Sequence, residues 1–190
     1  MPQHTLNFGQ YGADGVKGHL AVARQLDAHV DYIATPVTTS RGLLARLHYL
    51  TRTGHARHAA REAGLTVTER TLKAWLTGRR RPSAANLRKV ETAYRTVRRH
   101  NVARYLLPRL NRQGRGTRVE IHPLDQSAVA RPHRRVVEFR TINIRHWDHI
   151  VAAWAAEDDL ALDDAWTDKL VDLGSQWGQY EYVTNVGFAA

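Results

Sequence analysis

The chain contains no cysteine. That excludes disulfides, thiolate zinc sites, iron–sulfur clusters and a cysteine nucleophile, and it makes a reducing cytosol the expected compartment. No segment approaches the roughly 18 consecutive apolar residues of a membrane-spanning helix, so no membrane role is expected. Met1 to Gln10 lacks the basic start and the apolar run of about 7 to 15 residues that mark a secretory leader. Also missing are a phosphate-cradling glycine loop, a nucleophile elbow and a Ser-His-Asp arrangement. Catalysis by this chain alone is therefore not expected, nor is a cofactor. At 190 residues the chain can bury a core as one domain or two small ones without covalent staples.

Lysine is scarce too. Lys17, Lys73, Lys89 and Lys169 are the only lysines among 28 basic residues, and the rest is arginine, whose planar fork suits phosphates and guanine edges. The positive charge is concentrated. Residues 1–40 carry 2 basic and 3 acidic side chains, residues 41–140 carry 24 and 6, and the last fifty carry 2 and 9. Codon bias in a GC-rich genome is an alternative account of arginine over lysine, but it does not explain the concentration in one segment. A polyanion is expected to sit on the middle of the chain.

The periodicity predicts an irregular start punctuated by Gly9, Gly12, Gly15 and Gly18, then a helix over His19–Ile33 with Leu20, Ala23, Leu26, Val30 and Ile33 on one face. Ser40 can cap a second helix carrying Leu43, Leu44, Leu47 and Leu50. A third runs from His55 to Ala63 and is stopped by Gly64. Thr66, Val67, Thr68 and Glu69 read as a capping box opening a fourth, which buries Leu72, Trp75 and Leu76 and stops at Gly78. Pro82 and Ser83 open a long fifth helix to about Leu107, ended by Pro108 or by Gly114 and Gly116. Beyond Arg118 the pattern alternates: Val119 and Ile121, then Val137, Phe139 and Ile142, predict two strands separated by the loop His122–Pro132. A helical region from Trp147 to Gly174, broken near Glu157–Asp159, and a closing strand with Tyr180, Tyr182 and Val186 complete the chain.

The expected fold class is α+β, in three parts: an N-terminal helical extension over 1–40, a helix-turn-helix domain with a long basic helix over 41–112, and a small α+β domain over 113–190 for association or partner docking. In a helix-turn-helix one helix braces a second whose exposed side chains enter the major groove. Ala60 and Gly64 have the spacing of the small packing residue and the turn glycine, with a turn about two residues longer than the commonest form. With Leu72 and Trp75 inward, Thr68, Arg70, Thr71 and Lys73 project outward as base-edge contacts, and Arg79, Arg80 and Arg81 lie on the DNA backbone. The pairs His55/His58 and His146/His149 do not make a metal site, because three converging ligands cannot be read from either. Glu157, Asp158, Asp159, Asp163 and Asp164 read as a solvated or partner-binding face, and Trp147, Trp154 and Trp166 as core.

The run Trp75, Gly78, Arg79–Arg81, Pro82 resembles the helix-turn-helix of phage-repressor-like regulators. From Gly54 onward the order of parts also resembles the telomere terminal proteins of linear actinobacterial chromosomes and plasmids. That resemblance implies a protein that caps linear replicon ends and primes telomere DNA synthesis, a side-chain hydroxyl accepting the first nucleotide and staying attached to the 5′ end. It implies as partners double-stranded or folded telomeric DNA, a DNA polymerase that performs the phosphoryl transfer, and a telomere-associated helper protein. The family's hydroxyl is a threonine between the basic helix and the long strand. Here the only hydroxyl between Thr117 and Thr141 is Ser127, which becomes the expected attachment site, with those two threonines in reserve. A homodimer in the cytoplasm, associated with the nucleoid, is expected. The alternative function is a sequence-specific transcriptional repressor with the acidic end as dimerisation or effector domain.

Overall fold

Residues 11–190 are described by the structure, a computed structural model, so Gly9 and the Met1–Gln10 stretch lie outside the described residues. The class is α+β, with seven α-helices, several 3-10 segments and a four-stranded antiparallel sheet among the described residues. The chain divides into two units, one spanning residues 30–102 and the other combining residues up to 29 with 103–190.

The unit 30–102 contains α2 (Ser40–Thr51), α3 (Gly54–Glu62), α4 (Glu69–Leu76) and the first part of α5 (Ala84–Asn111). Leu43, Leu47 and Leu50 recur at spacings of four and three, one stripe of a helix, and bury against Ala60, Leu65, Trp75, Val90, Tyr94 and Val97. Threonines cap all three short helices. Thr39, rather than Ser40, accepts a hydrogen bond from the Gly42 N–H at 3.0 Å, and Thr53 accepts one from Ala56 at 3.0 Å. The expected capping box does not form either: Thr68 accepts from the Thr71 N–H at 3.2 Å, two residues after Thr66. Glu69 thus becomes the first residue of α4, where a carboxylate favours the positive helix end, and it pairs with Arg61 of α3 at 3.1 Å.

The expected helix to Ile33 stops sooner. α1 spans Gly18–Asp27, and residues 30–34 are not helical. The buried guanidinium of Arg46 donates to the carbonyls of Ile33 and Thr35 at 3.0 and 2.7 Å, and the Ile33 N–H donates to the Tyr94 hydroxyl at 2.9 Å. Those backbone groups are spent on α2 and α5 and cannot continue a helix.

The second unit is built on the sheet β1-β4-β2-β3, formed by β1 (Val16–Lys17), β2 (Thr117–Pro123), β3 (Arg140–Ile144) and β4 (Tyr182–Phe188). β1 was not anticipated, and Val137 and Phe139 lie before β3 rather than in it. Val119 and Ile121 of β2 and Ile142 and Ile144 of β3 point inward as alternation requires. On β4 the inward residues are Val183 and Val186, three apart. The register shifts between His122 and Pro123, so that Thr184 is left over opposite β2, and this bulge moves the inward face by one residue. α6 (Asp148–Ala156) and α7 (Asp159–Leu170) are separated by Glu157 in the left-handed region, at the predicted break. Trp147, Trp154 and Trp166 are fully buried.

The N-terminal segment is not a separate extension. α1 packs on β4 and α7, and Lys17 and His19 both reach Asp163, at 3.3 and 2.7 Å. The Trp154 indole donates to Asp27 at 2.9 Å. The buried face of α1 covers this sheet, so two segments separated by residues 30–102 share one core. α5 continues through Pro108 to Asn111, because a proline in the last turn removes only one helical bond.

Candidate nucleic-acid interface

The two units carry very different charge. The unit 30–102 carries 15 basic and 4 acidic side chains, net +11, whereas the sheet unit carries 13 and 14, net −1, which together give the chain's +10. The excess therefore belongs to the helical unit alone. The basic residues of 103–140 share a unit with the acidic C-terminal helices.

Within the helical unit α4 has two faces. Trp75 is 2 % exposed, with Leu72 and Leu76 half-buried beside it against the core. Arg70, Lys73 and Thr77, at spacings of three and four, occupy the opposite, exposed face. Six residues, Ala63–Thr68, separate α3 from α4, and Gly64 takes a φ of +91° that other residues rarely adopt. Ala60 and Leu65 are buried on either side of it. Gly78, at φ +68°, ends the helix and sends Arg79, Arg80 and Arg81 outward.

The seven residues singled out for DNA contact separate into two groups. Arg70, Lys73, Arg79 and Arg80 are exposed and carry no side-chain partner among the described residues. The other three have structural work. Thr68 spends its hydroxyl on the N-cap and on the Thr71 hydroxyl, 2.9 Å away, and Arg81 donates to the Thr38 carbonyl at 2.6 Å, tying the loop to the start of α2.

Ser127 lies in the other unit, exposed, in the connection between β2 and β3. That connection is cross-stitched rather than slack. Arg134 donates to the carbonyls of Val129 and Ser127 at 2.7 and 2.8 Å, and Gln126 exchanges two bonds with the backbone of Arg135. The Ser127 N–H donates to the Asp125 carboxylate at 2.8 Å. That bond, with a second from the Ser127 hydroxyl, holds Asp125 below the usual carboxylate range. Of the reserve hydroxyls, Thr117 is 2 % exposed and bonded to the Leu110 carbonyl at 2.6 Å, while Thr141 is exposed on β3. Among the described residues no cluster of His, Asp and Glu could hold a metal ion.

Comparison of the chain with protein-family models, with curated proteins and with solved structures finds no match. One group of residues absent from the sequence reading stands out: Arg109, Arg112 and Arg115, brought around one cleft where α5 ends. Only the backbone path through residues 112–116, with its positive φ angles, gathers them.

Proposed function

We propose that this is a DNA-binding protein in which α3 and α4 act as a helix-turn-helix, α4 being the recognition helix, and that it serves as a terminal protein at the ends of linear replicons. The observation that carries DNA binding is the exposed pair Arg70 and Lys73 on the face of α4 opposite Trp75, with exposed Arg79 and Arg80 in the loop that follows, none of the four with a side-chain partner among the described residues, in a unit of net +11. Arg70 and Lys73 read base edges, and Arg79 and Arg80 hold phosphates. Arg81 braces the loop.

In the priming step the Ser127 Oγ attacks the α-phosphate of a deoxynucleoside triphosphate. A serine phosphoester forms, the bond to the bridging oxygen breaks, and pyrophosphate leaves. Asp125 is a weak base, since its proton affinity is lowered, and so it orients the hydroxyl rather than keeping its proton. Proton removal falls to the partner polymerase and its metal ions. The exposed, internally braced turn supports this role by offering the hydroxyl to another protein's active site.

Two measurements test the two parts. Replacing Arg79 and Arg80 by alanine should weaken binding to all duplexes and reduce the slope of log affinity against log salt by about 1.8, two phosphate contacts, while R70A/K73A should change sequence preference. Unchanged binding in both variants would sink the recognition-helix reading. For priming, DNA extracted from the host without protease is examined by mass spectrometry for a nucleotide-modified peptide. A modification on Ser127 that disappears in S127A is expected. DNA binding with no modified peptide leaves a DNA-binding protein of the repressor kind.

A further inference from the structure

The end of α5 carries a second basic feature that α4 and Ser127 do not use. Pro108, Arg109, Arg112, Gln113, Arg115 and Gly116 line an open cleft of about 460 Å³, entirely within the sheet unit. Three of the lining residues are arginines and none is aspartate or glutamate. A helix C-terminus offers roughly half an elementary negative charge, which stabilises one nearby cation but leaves most of three uncompensated. Arg109 is held by the Tyr105 hydroxyl at 2.8 Å and the Ala190 backbone oxygen at 3.0 Å, and the Arg115 Nε donates to the Arg112 carbonyl at 3.4 Å. The Arg112 guanidinium has no partner among the described residues.

The backbone that creates this arrangement is strained. Arg112 and Gln113 both lie in the left-handed region, at φ 44° and 55°, immediately before Gly114 at φ 86°. A glycine at 112 or 113 would accept that conformation without the Cβ clash that other residues meet there. Arginine at 112 therefore opposes local stability, and residues held in this way concentrate at binding sites. What the strained turn achieves is to hold two further forks, Arg112 and Arg115, beside Arg109. Forked donors converging on an open, acid-free cleft match the oxygens of phosphate groups.

We propose that the cleft formed by Arg109, Arg112 and Arg115 is an anion site that takes adjacent phosphate groups. It stands independently of the role assigned to α4. The phosphates come either from a nucleic-acid strand or from a free nucleotide, and the exposed Tyr105 ring beside Arg109 offers a stacking surface to the base in both cases.

The test uses the full chain and two probes, a fluorescein-labelled single-stranded oligothymidylate and inorganic triphosphate. The variant is R112G/R115A, in which glycine suits the backbone at 112, so the melting temperature should be unchanged or raised. Affinity for at least one probe should fall by about tenfold, the loss of a charge-assisted hydrogen bond. If the oligonucleotide is the probe affected, its salt slope should fall by about 1.4, and the strand is the source of the phosphates. If only triphosphate binding falls, a free nucleotide is the source. A control variant, R24A/K169A, removes two charges away from the cleft. Equal losses in control and cleft variants, or no loss in either, overturn the proposal. R70A/K73A measured alongside separates the two sites, since a failure of α4 leaves the effect of R112G/R115A intact, and the reverse.

Discussion

Arg46 is 4 % exposed, donates to the carbonyls of Ile33, Thr35 and Gly42, and pairs with Glu91, its guanidinium lying 5.2 Å from the centre of the Tyr94 ring. It is one of 24 arginines, and several others are also engaged: Arg81 with Thr38, Arg95 with Glu91, Arg98 with the Asp31 carbonyl, and Arg134 with its own loop. Only lysine could replace the charge, and its single ammonium cannot serve three carbonyls and a carboxylate arranged around a fork. Replacing Arg46 by alanine should destabilise the helical unit by about 3 kcal/mol or more, because Glu91 and the three carbonyls lose their partner in a buried site. Chemical denaturation followed by circular dichroism measures it, and a shift under about 1 kcal/mol would mean that water replaces the fork. At Gly42 the constraint is steric, since a Cβ there would overlap the Pro36 carbonyl. Arginine richness in this chain is thus partly architectural, which a count of charges does not show.

At the scale of elements, α4 depends on its cap. At eight residues it is too short to be stable by propensity alone, and the Thr68 hydroxyl satisfies one of its free N–H groups. T68A should cost about 1 kcal/mol, detectable as a lower denaturation midpoint and as faster amide exchange in residues 69–71. If duplex binding falls while stability holds, Thr68 has the base-contact role first expected of it. The helices themselves were legible because leucines at spacings of three and four, bounded by threonines and glycines, leave few alternatives. Their ends were less so. Which of two adjacent hydroxyls caps a helix depends on the φ and ψ of the residue that carries it, and Thr39 against Ser40, or Thr68 against Thr66, differ only in that. In β4 the inward face could not be read by alternation, because a bulge near Thr184 breaks the period.

For the whole molecule, the consequential feature is that residues up to 29 and residues 103–190 share a unit. Val22 and Leu26 of α1 are fully buried there. Deleting residues 1–29 should therefore uncover the sheet unit's core. Four of the five tryptophans lie in that unit, so intrinsic fluorescence should shift to the red, whereas an independent extension would leave the spectrum unchanged. The Lys17–Asp163 pair that joins the two segments adds a pH dependence. A hydrogen bond from Lys17 to Asp163, reinforced by the carboxylate's charge, raises the lysine's proton affinity. Because the folded chain holds that proton more tightly than the unfolded one, the contribution is complete below the ordinary lysine value of 10.5 and fades as pH rises through the raised one. Burial likewise raises Tyr180, so its contribution fades as pH rises above the ordinary tyrosine range. Melting temperatures between about pH 10 and 12 should fall less steeply in K17M than in the parent, by a small amount since the Lys17 side chain is 41 % exposed.

What the sequence determined by itself was everything carried by short-range pattern: the α+β class, the amphipathic helices with Trp75 inward and Arg70 and Lys73 outward, and the break near Glu157. These follow from spacing along one element, where neighbours in sequence are neighbours in space. Tertiary structure alone decided which segments share a core, which arginines are spent on carbonyls and which are free, and that Arg109, Arg112 and Arg115 meet around one cleft. Each of those depends on a backbone path through non-repeating dihedrals or on contacts between residues distant in the chain, and local periodicity encodes neither.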